Sequence, residues 1–238
     1  MPAKPSSVYL GVALAAASIA LSGCGSGGAS ASISKSQAAA YAAHVNLRAS
    51  DLPEMTANGP EHDATNESRG EDGELGRCLG DPAISNEISK IKSPSFRGEA
   101  PGRLEQIQST VELQPTQALA QESDRLVLSA RGLRCLSRLI PRQFASASGP
   151  SKFGRVSIKR LAKPLPSVAA SFGIRISTSV APAADRGRQI PVYVDLYGFV
   201  SGNAEVALMT FATPQPVSAK VAARLLATLY GRAVAYKS

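Results

Sequence analysis

The chain has 238 residues, of which 44% are hydrophobic, so it can bury a core and is not a disordered chain. Aromatic residues make up only 5% of the chain and Trp is absent, so the predicted core is aliphatic. Two His and three Cys are too few for a multi-histidine metal site or a four-cysteine zinc ribbon. The composition therefore excludes both kinds of site, and we expect neither a metal nor another cofactor.

The first residues have the pattern of a secretion signal. Lys4 supplies a positive charge, and residues 8–21 form an apolar run shorter than the roughly 20 residues that span a bilayer. The run ends in Leu21-Ser22-Gly23-Cys24, which resembles the lipobox of bacterial lipoproteins at all four positions. This resemblance implies that residues 1–23 are a lipoprotein signal peptide and that the Cys24 thiol is lipidated.

The lipobox predicts a protein anchored to the extracytoplasmic face of the cell membrane through acyl chains on Cys24. Two or three chains anchor firmly, whereas a single chain binds only marginally. Residues 24–35 are rich in Gly and Ser and are predicted to form a flexible tether. An ordinary cleaved signal with a chance cysteine and an uncleaved membrane anchor are the alternatives, and no positive cluster follows the apolar run to favour the second.

The two remaining cysteines, Cys78 and Cys135, are predicted to form a disulfide. They lie 57 residues apart in a chain addressed to an oxidising compartment, where disulfides persist. One alternative is a metal site that adds His44 and His62, but these spacings fit no zinc pattern. The other alternative is a pair of free thiols.

The N-terminal part of the mature chain combines an Ala-rich helix with an acidic segment. The helix is predicted over residues 36–48, with His44 as a partly buried member. Residues 51–74 hold 8 of the 18 acidic residues and a single basic one, Arg69. Several Gly and Pro interrupt this segment, so we expect a mobile acidic loop at about 54–74. A calcium site there is conceivable, although the EF-hand spacing is absent.

The middle of the chain is predicted to hold two helices and a strand. A helix over 82–91 follows from a capping Asp-Pro pair and from isoleucines at helical spacing. Alternation predicts a half-buried strand over 107–113. A long amphipathic helix follows over 115–144, with a bend or an early end at Gly132 or Pro141. It carries Cys135, so the disulfide would join it to the loop before helix 82–91.

The C-terminal part alternates in the manner of strands and ends in a helix. We predict strands at 155–162, 171–180, 190–200 and 204–212, and a helix at 217–230. A tight hairpin turn is predicted at residues 201–203. Short connections favour antiparallel neighbours, so the predicted class is α+β. Residues 36–238 would form one domain with a single antiparallel sheet of about five strands covered by helices.

The charge is strongly asymmetric along the chain. Residues 125–238 carry 17 Lys and Arg against 3 acidic residues, a net charge of +14, whereas residues 24–124 carry 8 against 15, a net charge of −7. The secretion signal argues against a nucleic-acid partner. A basic face at the envelope suits anionic lipid or acidic wall polymer. The alternative is that the acidic segment folds back onto the basic body.

No catalytic constellation stands out in the sequence. The chain has no nucleophile elbow, no Walker A loop and no dinucleotide-binding fingerprint. Asp195 lies between Tyr193 and Tyr197 in a predicted strand, where it is either a functional acid in a pocket or a solvent-facing residue. We expect it to face solvent, and we expect the protein not to be an enzyme.

Short motifs resemble actinobacterial lipoproteins and the extracellular sensor domains of PknH-like Ser/Thr kinases. They are Leu47-Arg48-Ala49-Ser50-Asp51-Leu52-Pro53 and the segment from Ile190-Pro191-Val192-Tyr193-Val194-Asp195 through Pro216 to Arg232. The resemblance, which extends to LpqN-type lipoproteins, implies a PsbP-like fold. This chain departs from the kinases because it has no kinase domain, and its cysteines allow one disulfide rather than two.

The predicted function is a non-catalytic binding or sensing module at the cell envelope, which recruits an envelope protein, an anionic lipid or a wall polymer. One alternative is a carrier of an apolar small molecule or lipid in a cavity between sheet and helices. The other is a hydrolase that uses Asp195 or His62.

Overall fold

A computed structural model of the chain describes residues 33–65, 69–79, 87–147, 152–168, 170–182 and 187–236. The predicted signal peptide, Cys24 and nearly all of the predicted tether lie outside these residues. The first described helix begins at Lys35, with Ser34 as its N-cap, so it starts one residue before the predicted boundary.

Within the described residues the chain forms five α-helices, ten β-strands and a short 3-10 helix at Ala49–Asp51. The helices are α1 (Lys35–Val45), α2 (Arg69–Leu79), α3 (Gln117–Val127), α4 (Ala130–Ala147) and α5 (Ala219–Ala235). The strands are β1 (Thr56–Asn58), β2 (His62–Asp63), β3 (Ser89–Lys92), β4 (Ser95–Ala100), β5 (Arg103–Leu113), β6 (Lys152–Phe153), β7 (Ser157–Arg160), β8 (Phe172–Ala181), β9 (Ile190–Ser201) and β10 (Ala204–Thr213).

All of the described strands belong to one antiparallel sheet, as the sequence predicts. The order along the sheet is β1-β4-β5-β10-β9-β8-β6, with β3 beside β5, β2 beside β3, and β7 beside β8. Strand β5 is central because it pairs with β10 on one side and with both β3 and β4 on the other. The prediction of about five strands was too low, since the short strands β1, β2 and β6 and the hairpin partner β4 carry little alternation.

Helices cover both faces of the sheet, and strand β10 shows how the two faces are separated. Val206 and Leu208 point to the face covered by α1 and α5, where they join the largest apolar cluster. Met209 and Phe211 point to the opposite face, where they pack near α4. Because side chains alternate along a strand, β10 serves both layers. The fold is therefore a mixed α/β arrangement with a helix layer on each side of one sheet.

The face covered by α1 and α5 holds the largest apolar cluster of the described residues. It buries the aromatic ring of Phe199 and the aliphatic side chains of Leu208, Leu226 and Leu229 completely. Burying a side chain of this size is worth roughly 1.5–3 kcal/mol. This face supplies most of the hydrophobic stabilisation of the fold.

A buried polar network fixes the chain after α1 to the sheet. The Asn46 side chain is 1% exposed, donates to Glu61 Oε2 at 3.0 Å and to the Ile91 carbonyl at 3.3 Å, and accepts from Ser109 Oγ at 2.8 Å. Nearby, Arg232 of α5 holds the Asp51 carboxylate through two hydrogen bonds of 2.7 and 2.9 Å. Part of the acidic segment thus pairs with the basic body.

The predicted helix over 82–91 is wrong in the part that the structure describes. Residues 80–86 lie outside the described residues, and Ser89–Lys92 forms strand β3. Ile91 faces the packed core of the sheet. Isoleucines at intervals of three and four suggested a helix, but β-branched residues also suit a strand, and a short apolar run cannot separate the two.

The single helix predicted over 115–144 is two helices in the structure. Helix α3 ends at Val127, and α4 begins at Ala130, so the break lies neither at Gly132 nor at Pro141. The Ser129 hydroxyl accepts a hydrogen bond from the Gly132 amide at 3.0 Å, which is the contact of an N-cap. A serine that caps the second helix therefore sets the break.

The acidic segment is not a continuous loop. Strand β1 pairs with β4, β2 pairs with β3, and the last acidic residues of the segment begin helix α2. The predicted loop over 54–74 was therefore wrong at these places, and residues 66–68 lie outside the described residues. In contrast, the predicted hairpin between β9 and β10 is confirmed, with Gly202 at a φ of 60° in its turn.

Candidate functional site

A cavity lies between the sheet and the helices α3 and α4. Its walls are mostly apolar and come from α4, β8, β9 and β10. They include Leu136, Ile140, Ile174, Ile176, Val194 and Met209. About 40 Å³ is open to the centres of water molecules, and the space between the walls, including the open mouth, is about 760 Å³.

One side of this cavity carries three carboxyl groups. Glu112 of β5 and Glu205 of β10 are direct register partners on neighbouring strands, and Asp124 of α3 faces them from the helix layer. Like charges placed directly opposite each other in a sheet are destabilising. The three groups therefore form an acidic cluster, Glu112, Asp124 and Glu205, that the fold places in an apolar cavity at an energetic cost.

The acidic cluster is only partly compensated by its neighbours. Lys90 of β3 lies opposite Glu112, with its Nζ 3.5 Å from Glu112 Oε2, and both side chains are almost fully buried. Gln114 Nε2 donates to Glu112 Oε1 at 2.8 Å, and Ser123 Oγ donates to Glu205 Oε2 at 3.3 Å. Glu112 is thus paired by an ammonium group, whereas Glu205 accepts a hydrogen bond from a hydroxyl and feels the charge of Lys90 without a hydrogen bond to it being seen among the described residues.

Two oxygens of the cluster lack donors. Among the residues that the structure describes, none donates a hydrogen bond to Asp124 Oδ2 or to Glu205 Oε1, although both atoms are buried. The Asp124 side chain is 9% exposed. Burial, together with the charge of Glu112, raises the pKa of Asp124 to about 8. Burial and the charges of Glu112 and Asp124 also raise the pKa of Glu205 well above its ordinary value. Burial thus favours the protonated forms of Asp124 and Glu205.

Asp195 does not face solvent, so that expectation was wrong. Its side chain is 1% exposed, and Arg175 of the neighbouring strand donates to both carboxylate oxygens at 2.6 Å. The Tyr197 hydroxyl adds a hydrogen bond of 3.2 Å, and the Arg175 guanidinium also lies 5.6 Å from the centre of the Tyr193 ring. Register explains the burial, because β8 places an arginine directly opposite the aspartate. Asp195 is a structural anion in the fold.

The structure joins Cys78 and Cys135 in a disulfide with a Cα–Cα distance of 5.8 Å. Cys78 lies on α2, not in a loop as predicted, and Cys135 lies on α4. The bond is flanked by a small apolar cluster that includes Leu75, Leu79 and Val127. The disulfide thus holds α2 against the helix layer that closes the cavity.

Neither histidine is among the described residues that line the cavity. His44 lies half-buried on α1, and its ring packs against Tyr236 with centroids 5.3 Å apart. His62 lies on the edge strand β2. Within the described residues, no group of three or more His, Cys, Asp or Glu side chains is arranged to hold a metal ion.

A basic surface is the second candidate functional feature, and it is formed by α4, β6, β7 and the residues beside them. Residues 130–163 contain nine Lys or Arg and no Asp or Glu, and all nine are exposed. They are Arg131, Arg134, Arg138, Arg142, Lys152, Arg155, Lys159, Arg160 and Lys163. Helix α4 packs against β6 and β7, so the elements that carry these residues are neighbours. We call these nine residues the basic surface.

Sequence reasoning found the positive charge but missed the acidic cluster. Glu112 and Glu205 meet only through the β5–β10 register, which one sequence does not reveal. Asp124 did leave a signal, because the buried face of α3 consists of Ala120, Ser123, Asp124 and Val127. A charged residue at a buried position of an amphipathic helix is uncommon and marks a candidate site.

Comparison with known proteins identifies no family for the chain. No protein-family model matches the sequence, and no curated protein matches it. Among solved structures, the extracellular domain of PknH from Mycobacterium tuberculosis aligns with a TM-score of 0.42 and 10% identity, covering 84% of this chain and 98% of that one. The PsbP-like fold stays a prediction. Across the described residues, no helix combines the length and apolar character needed to cross a bilayer.

Proposed function

We propose that the protein is a non-catalytic binding module at the extracytoplasmic face of the cell membrane, anchored through acyl chains on Cys24, and that it binds a small molecule with an apolar body in the cavity under α3 and α4. The apolar-walled cavity carries this proposal. Ligand pockets combine mostly apolar walls with a few placed polar groups, which is the composition found here.

The cavity therefore favours the alternative given in the sequence analysis, a carrier of an apolar small molecule or lipid, over a module that binds its partner through the surface alone. The cavity, at about 40 Å³, has room for only a few water molecules, so a larger ligand must widen it or extend into solvent. Met209 lines the cavity, and its unbranched side chain can rotate to widen it. The candidate acid of a hydrolase, Asp195, is bound by Arg175 and Tyr197, which favours a binding role over a catalytic one.

Native mass spectrometry tests ligand binding. The mature chain, residues 24–238, is secreted behind a cleavable signal peptide with Cys24→Ser to remove the acyl group. We expect a bound mass of small-molecule size that is lost in Ala207→Leu, because the larger side chain fills the cavity that Ala207 lines. A bound mass retained by this variant, or an unliganded mass with no binding of apolar probes, would contradict the proposal.

The basic surface favours a second role, in which the anchored domain rests on anionic lipid headgroups. Nine exposed cations without an intervening acid suit such a surface, where each Lys or Arg contributes about 1 kcal/mol.

Mass analysis of the N-terminal peptide from membrane-bound protein tests the anchor itself. We expect diacylglyceryl and acyl groups on Cys24, and an unmodified cysteine would refute the anchor.

A further inference from the structure

The acidic cluster indicates the chemistry of the ligand. It lies at the side of the cavity where Glu112, Asp124 and Glu205 converge, while the remaining walls are largely apolar. A ligand that satisfies both regions must carry an apolar body and a group that complements carboxylates.

Hydrogen-bond accounting narrows that group to a donor. Within the described part of the chain, Asp124 Oδ2 and Glu205 Oε1 are buried and receive no hydrogen bond. A buried acceptor without a donor costs about 1–3 kcal/mol, and a charged one costs more. The two residues come from different elements, α3 and β10, yet both line the same cavity and lie close enough for the charge of Asp124 to act on Glu205. One group with several N–H donors can serve both.

Charge accounting narrows the group further to a cation. Lys90 lies against Glu112, and the hydroxyl of Ser123 contacts Glu205. Among the residues that the structure describes, no ammonium or guanidinium group donates to Asp124 Oδ2. A buried carboxylate is stable only when it is paired or protonated. A metal ion is disfavoured as the partner, since the described side chains form no metal-binding group. An organic ammonium remains.

We propose that the ligand of this cavity is an amphipathic primary amine, whose ammonium group binds Asp124 and Glu205 while its apolar chain lies between α4 and strands β8–β10. This inference rests on the proposed function, because it assigns the ligand class of the same cavity. Binding exchanges carboxyl protons for the ammonium and forms no covalent bond.

Three chain-matched probes test the inference: octylamine, octanol and octanoate, titrated near neutral pH into the mature Cys24→Ser chain by isothermal titration calorimetry. We expect octylamine to bind at least tenfold more tightly than octanol, since hydrogen bonds to charged groups are the stronger kind. We expect octanoate to bind most weakly in the cavity. The chain is positive overall, at +8, so a preference for the cation must arise locally.

Matched variants localise the effect. Asp124→Asn should remove the preference for octylamine over octanol, and it keeps the size of the side chain so that the fold is retained. Glu122→Gln is the control, because it removes a carboxylate from the same helix that binds Arg125 instead of lining the cavity. Ala207→Leu should abolish binding of every probe that enters the cavity.

The outcomes separate the two proposals. If the three probes bind equally and Ala207→Leu abolishes all binding, the cavity binds apolar molecules but the amine inference is overturned. If octylamine is preferred equally by the native chain and Asp124→Asn, the inference is also overturned. If no probe binds, the proposed function itself fails.

Discussion

Replacement of Asp124 by Asn should change how stability depends on pH. In the folded chain, burial and the Glu112 charge raise the pKa of this carboxyl from 3.8 to about 8. Below about pH 4 both the folded and the unfolded chain hold the proton. As the pH rises, the unfolded chain releases it first, so the free energy of unfolding falls until about pH 8 and is level above that.

The size of this fall follows from the difference in pKa. Each pH unit corresponds to about 1.4 kcal/mol, so a rise of roughly four units gives an upper limit of about 5 kcal/mol. Glu112 and Glu205 titrate alongside Asp124, and Lys90 offsets part of their charge, so the measured contribution will be smaller than this limit. Asn at position 124 cannot titrate and lacks the contribution altogether.

Urea unfolding of the native chain and of Asp124→Asn at several pH values between about 4 and 9 measures the effect. We expect the two chains to have similar stability at the acid end and the variant to be more stable by several kcal/mol at the alkaline end. Glu122→Gln, on the same helix, should follow the native curve. Parallel curves for the native chain and Asp124→Asn would refute the burial argument.

Three further changes have expected outcomes. Asn46→Ala removes the buried acceptor of the Ser109 hydroxyl and a buried donor to the Ile91 carbonyl, and it should lower the free energy of unfolding by about 2–3 kcal/mol in urea. Asn58→Ala, at an exposed position, should not. The double substitution Cys78→Ser and Cys135→Ser removes a cross-link between residues 57 positions apart, and it should lower the free energy of unfolding in urea by up to about 4 kcal/mol. An unchanged urea midpoint would contradict a stabilising disulfide. The double substitution Arg134→Ser and Arg138→Ser should weaken binding to phosphatidylglycerol vesicles, measured by flotation, by roughly tenfold or more, and it should reduce the salt dependence of binding. Arg125→Ser is the control, because this exposed arginine is paired with Glu122, and it should leave binding unchanged. Equal losses in the two variants would argue against the basic surface.

The sequence predicted best where one physical pattern acted alone. The alternation of apolar residues predicted β8, β9 and β10 to within one residue at each end, because every second side chain of a strand points to the same face of the sheet. It also located the hairpin at Gly202. These elements are local, so their signals lie within a few neighbouring residues.

The predictions failed where distant segments decided the outcome. Strand β3 exists because β5 offers it a free edge, and Asp195 is buried because β8 places Arg175 opposite it. The pairing of Glu112 with Glu205 likewise depends on the β5–β10 register. Composition and periodicity contain no information on which strand lies beside which. Apart from the position of Asp124 on the buried face of α3, the candidate ligand site could therefore not be predicted from the sequence.

The two sides of helix α4 differ in what they contact. Arg131, Arg134, Arg138 and Arg142 recur at steps of three and four on its outer side, and Leu136 and Ile140 line the cavity on its inner side. If each residue of α4 is substituted in turn, the effects of the substitutions should therefore alternate with the period of the helix. Outer positions would change attraction to anionic surfaces at constant thermal midpoint, and inner positions would change the midpoint and ligand affinity together. One helix thus allows the two roles to be separated by genetics.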